Sequence, residues 1–251
     1  MNERKLSIIV IALLAVSVAA APAFKPDGKA RSYRVTREAG SGQPASQRLL
    51  RSVSYNLRAE EGSHNGKPAW VFLREDVTTE KAKTSWRFVV SRETGGVVWV
   101  EKTVTGPDGS LWEESRVSFA HLKAKENRRV YHREMIPMIG PFLDLRPNAK
   151  NNIALAFNSE RRPSNVSLIV VGEEKISTPA GAFNCVKISM EYSEEDLPSF
   201  ARYIPSALLD TLLTGYYLWV EKAAPHAMIK MGGKLDGPGA PPVTEELVKV
   251  Q

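Results

Sequence analysis

A single cysteine, Cys185, in 251 residues excludes any intrachain disulfide, so packing has to hold the fold together. Histidine is nearly as scarce. His64, His121, His132 and His226 are scattered, with no cysteine or carboxylate at ligand spacing, so no metal site is expected. The chain also lacks a glycine-rich phosphate loop, a Gly-x-Ser-x-Gly elbow and a Cys/His pairing, and this removes the common nucleotide and hydrolase signatures. The acidic doublets Glu113-Glu114, Glu173-Glu174 and Glu194-Glu195 read as solvated turns or helix starts, not as acid/base pairs. A non-enzymatic chain without a cofactor is the expectation.

Long apolar runs are missing after the first residues. Leu6 to Ala21 is the one such stretch; it follows the charged Met1-Asn2-Glu3-Arg4-Lys5 and ends in small residues, the anatomy of a secretory signal peptide. Cleavage after Ala21 or Ala23 fits. The run falls short of the roughly 20 residues that span a bilayer, so residues 1–23 are expected to be removed and the rest exported to the periplasm or beyond. What remains, 24–251, suits one β-rich domain with a net charge reduced from +6 to about +5.

What is present is a rhythm of strands. Ser32 to Glu38 is followed by a loop of Gly, Ser and Pro, and then Val53, Tyr55 and Leu57 alternate with Ser54, Asn56 and Arg58, leaving one face wet. Lys67 to Glu75, Thr84 to Arg92, Val97 to Thr105 and Leu111 to Phe119 continue as strands between polar turns. Trp70, Trp86, Trp99 and Trp112 fall one per strand, which suits either a tryptophan-lined concave face or ordinary core packing.

Lys123 to Arg133 is basic. With only Tyr131 interleaved it reads as a solvated edge, and no nucleic-acid partner is expected. Met135 to Pro147 then breaks the rhythm: it is apolar, yet Pro137, Pro141, Pro147 and Gly140 forbid regular structure, so it plugs a core or covers a cavity.

Asn152 to Phe157 and Asn165 to Val171 are short strands, and Ser177-Thr178-Pro179-Ala180-Gly181 is a turn leading into a strand from Phe183 to Tyr192. Cys185 on that strand suits a small buried hydrophobe better than a reactive thiol. After Asp196 as a cap, Phe200, Ile204, Leu208 and Leu212 recur every four residues, predicting an apolar helix over 197–214 that Pro205 kinks and Gly215 ends. Tyr216 to Lys222 and His226 to Met231 form a hairpin, and Val243 to Val250 a last strand.

The turn and strand from Thr178 to Lys187, with Tyr217-Leu218-Trp219-Val220-Glu221 and Pro225-His226-Ala227-Met228-Ile229-Lys230, resemble a pattern in bacterial secreted domains of unknown function. Those domains are similar in architecture to the lipoprotein carriers LolA and LolB. The resemblance covers the last third of the chain and implies a fold: mainly β with an inserted helix, a curved antiparallel half-barrel wrapped around one kinked apolar helix. It brings no catalytic residue. The expected function is binding or carrying of a lipid or other hydrophobic ligand by Trp70, Trp86, Trp99, Ile136, Met138, Phe142, Phe200, Ile204, Leu208 and Leu212. A structural or partner-binding envelope factor without a ligand cavity is the alternative.

Overall fold

The computed structural model describes residues 24–37, 52–122, 124, 128–156, 163–192, 215–233 and 242–251. They build one curved sheet of thirteen strands that does not close into a barrel. In chain order the strands are β1 (Arg31–Arg37), β2 (Ser52–His64), β3 (Lys67–Thr78), β4 (Lys83–Ser91), β5 (Val97–Thr105), β6 (Leu111–Ser118) and β7 (Arg129–His132). The second half adds β8 (Lys150–Ala156), β9 (Ser164–Thr178), β10 (Gly181–Tyr192), β11 (Tyr217–Glu221), β12 (Met228–Gly233) and β13 (Val243–Val250).

In space the order is β6-β5-β4-β3-β2-β1-β13-β12-β11-β10-β9-β8-β7. The chain therefore starts in the middle of the sheet, meanders to one edge, crosses to the other and meanders back until β13 lies beside β1. Every neighbouring pair is antiparallel except β7 and β8, which run parallel. The turns are local chemistry. Asn65 and Gly66 both take positive φ, at 51° and 76°, the two-residue hairpin turn whose twist matches that of the flanking strands β2 and β3.

Alternation puts Tyr55, Leu57, Trp70, Phe72, Phe88, Val90 and Val100 into one buried cluster on the concave side. That cluster is closed by the segment that interrupts the strands. Arg133–Met138 and Gly140–Phe142 are 3₁₀ turns, and Met135, Ile136, Met138, Ile139 and Phe142 are buried in the core, so this stretch is a plug. Its fit is close: a Cβ on Gly140 would meet the backbone oxygen of His226 at 2.2 Å, so only glycine lets the turn approach the β11–β12 connection. Phe24, just after the expected cleavage region, stacks on Phe72 with centroids 5.6 Å apart and meets Trp70 edge-on at 5.5 Å and Phe142 at 5.6 Å.

Two readings of the sequence need correction. The basic run ending at Arg133 is not all solvated edge: Val130, Tyr131 and His132 of β7 are buried, because parallel pairing with β8 turns them onto the plug and core. Neither Glu113-Glu114 nor Glu173-Glu174 is a turn, since the first lies within β6 and the second within β9, which runs to Thr178 and pairs with β10. Glu173 and Glu174 are exposed and pair with Lys222 and Lys187 respectively, each at 2.8 Å. The predicted helix over 197–214, with Phe200, Ile204, Leu208 and Leu212, lies outside the described residues. Among those described there is no α-helix, and none long and apolar enough to cross a membrane.

Candidate functional site

On β3 the concave-facing residues run Trp70, Phe72, Arg74, Asp76 and Thr78, all buried, so one strand turns from apolar to charged as it approaches the rim. The charges are answered locally. The Arg74 guanidinium grips Asp76 (Nη2 to Oδ1, 2.7 Å; Nε to Oδ2, 2.9 Å) and donates from Nη1 to the Glu134 backbone oxygen at 3.0 Å. The same nitrogen lies 3.3 Å from the Glu134 carboxylate, and the guanidinium sits 4.2 Å from the centre of the Tyr55 ring. Across the sheet the Tyr55 hydroxyl donates to Glu245 Oε2 of β13 at 2.5 Å. Strands β2, β3 and β13 and the plug thus each contribute to one buried polar cluster.

One cation faces three carboxylates here, and the protonation preferences follow. Burial works against the Arg74 charge, but Asp76 and Glu134 outweigh it and hold the guanidinium still more firmly protonated than usual. Burial foremost pushes the Glu245 carboxyl above its ordinary range, with Arg74 and the Tyr55 hydrogen bond opposing. The Tyr55 hydroxyl is raised well above its usual value, again by burial first and then by the Glu245 charge.

Above this cluster opens a cavity of about 180 Å³ at the rim. Arg74, Glu134 and Glu245 form its polar floor, Val35, Ile136, Met190, Met231 and Val243 its apolar walls, and Arg37 and Arg133 join the lining. Polar groups line more of it than apolar side chains do. A second cavity, beneath Phe24 and Met138, holds only about 50 Å³.

The residues named from the sequence scatter over this architecture. Ile136 lines the rim cavity and Met138 the smaller one, each from the plug. Trp70 and Phe142 lie 5.4 Å apart in the solid aromatic core. Trp86 is half-buried, stacked on Phe88 at 5.8 Å with the Lys102 ammonium 5.6 Å from its ring centre. Trp99 is on the convex side: its neighbour Val100 is in the core, while its own ring lies against His64 and donates to Glu101. Trp112 is 52% exposed. The tryptophans therefore do not share a face. Phe200, Ile204, Leu208 and Leu212 lie outside the described residues. Arg74, Asp76 and Glu245 were missed, although their pattern carried a signal: Arg74 and Asp76 follow Phe72 at two and four positions on the same strand face, and Glu245 stands two positions from both Val243 and Leu247.

No protein-family model matches the chain, and no curated protein does. Solved structures that resemble it include a β-barrel-like protein of the domain of unknown function DUF1849 from Brucella abortus. That match has 10% identity over 92% of this chain and 98% of that one, with a TM-score of 0.46. A candidate exported protein with a YmcC-like fold from Bacteroides fragilis matches at 12% identity over 92% and 99%, with a TM-score of 0.37. A candidate lipoprotein from Parabacteroides distasonis matches at 10% identity over 89% and 95%, with a TM-score of 0.34. At these values none of the three lends support to a particular activity.

Proposed function

We propose that this chain is an exported, non-enzymatic protein of the bacterial envelope that binds the apolar end of an amphipathic molecule in the rim cavity, in the manner of a small carrier. The export half rests on the signal-peptide anatomy of residues 1–21. The binding half rests on one observation, the 180 Å³ cavity with apolar walls over the Arg74–Glu245 floor.

Its size bounds the ligand. At about 30 Å³ per water-sized group, some six groups fit, and at about 0.8 kcal/mol per buried methylene their transfer contributes at most ~5 kcal/mol, since polar groups line much of the cavity. Taken alone that corresponds to a dissociation constant of roughly 0.2 mM before ordering costs, so tighter binding requires contacts from the polar head. A chain of ten methylenes exceeds these walls. A second reading, a partner-binding envelope factor without a ligand, is favoured by the plug, which already fills the concave side with Met135, Ile139 and Phe142.

The two separate in one experiment. Protein purified from the periplasm without detergent is examined by native mass spectrometry for retained lipid and titrated with a fluorescent short-chain fatty acid. Saturable uptake that is lost in Met231→Trp, which fills the cavity, supports the carrier. Absence of both lipid and uptake leaves the partner-binding reading.

A further inference from the structure

The two edges of the sheet are treated differently. At one, β7 is buried; at the other, β6 has β5 as its single neighbour among the described residues and leaves Leu111 60% and Trp112 52% exposed. An open edge of eight residues carries unpaired backbone donors and acceptors and is a template for another strand. The convex face leading to it bears a row of alternating charge. Arg87 of β4 stands opposite Glu101 of β5 and 3.5 Å from its carboxylate, and Glu101 stands opposite Arg116 of β6. There the row stops, with Arg116 turned back to Glu114 on its own strand at 2.7 Å, both side chains largely exposed.

We propose that the edge strand β6 pairs with β6 of a second copy of this chain, joining two sheets edge to edge. A two-fold axis normal to the sheet makes the strands antiparallel and keeps paired residues on the same face, so a one-residue slip is forbidden. Two registers then overlap most of β6. The one centred on Glu114 sets two glutamates against each other. The one centred on Ser115 sets Glu114 opposite Arg116 of the second copy, and Arg116 opposite its Glu114, so the charged row continues across the junction with its signs still alternating. Trp112 then stands opposite Ser118 and Glu113 opposite Val117. Glu113 is answered by Lys102 at 2.7 Å on the opposite face, so the unanswered pattern at this edge is that of Glu114 and Arg116, and the second copy is the occupant whose charges fit it.

Sedimentation equilibrium of the purified protein, from micromolar to near-millimolar concentration and at two salt concentrations, tests the pairing. Wild type is expected to dimerise reversibly, more weakly at high salt. Glu114→Arg and Arg116→Glu each place like charges across the junction and should lower the association constant at least about tenfold, while the double exchange Glu114→Arg/Arg116→Glu restores it. Both substituted positions project into solvent, and circular dichroism checks that each variant is folded. A wild type that stays monomeric overturns the proposal. So does a dimer indifferent to the single variants, or one that the double exchange leaves broken.

Discussion

Replacing Glu245 with glutamine removes the one carboxylate of the buried cluster that touches Arg74 only through space. Glu245 is 8% exposed, its hydrogen bond comes from the neutral Tyr55 hydroxyl, and Arg74 is already engaged by Asp76 and Glu134. Holding a buried ion costs several kcal/mol, of which the field of Arg74 offsets part. Glutamine keeps an oxygen to accept from Tyr55 and forgoes about 1 kcal/mol of charge assistance. The balance is a variant more stable than wild type by about 1 kcal/mol at neutral pH, or a Tm higher by ~2–4 °C. The pH dependence identifies the cause. Because burial raises the Glu245 carboxyl above its unfolded value, its contribution to stability is fully present below the ordinary carboxylate range and is lost as pH rises through the raised value. Thermal unfolding of both proteins from pH 4 to pH 8 should show coincident Tm values at the acid end and a gap that opens in favour of glutamine toward pH 8. A gap of opposite sign, or one that does not vary with pH, would mean that Glu245 is a net stabilising anion and that the cluster has been misread.

Arg74→Met leaves Asp76 buried without its cation and should cost about 3–5 kcal/mol, a fall in Tm of roughly 6–20 °C measured by calorimetry; an unchanged Tm would show that the ion pair is energetically idle. Gly140→Ala forces a methyl against the His226 backbone oxygen, and because backbone cannot swing aside the expected loss is about 1–3 kcal/mol by urea denaturation. Loss of that size without loss of secondary structure would place the plug within the cooperative unit, whereas no loss would mean it is loosely seated.

Much of the strand rhythm was legible because alternation and turn chemistry are local. Val97–Thr105 and Val243–Val250 have in the structure the bounds that their patterns predict, and the Thr178–Gly181 turn and the hairpin of β11 and β12 stand where proline and glycine put them. The errors fell where burial came from distant partners. Nothing within Arg129–His132 announces a strand, since it owes its place to pairing with Ile153 to Ala156 of β8, far along the chain. The tryptophans share a spacing of one per strand, yet which face each takes depends on register, so Trp70 is in the core while Trp99 packs on the convex side against His64.

By itself the sequence determined an address, a run of β-strands and a short list of excluded chemistries, because signal anatomy, side-chain alternation and missing ligand spacings are all read within a few neighbouring residues. Only the tertiary structure decided that the apolar segment around Gly140 is a plug, that Arg74, Glu134, Glu245 and Tyr55 meet beneath one cavity, and that β6 is an edge strand among the described residues. Those outcomes depend on which strands lie beside one another, and strand order in a sheet is set by contacts between residues far apart in the chain.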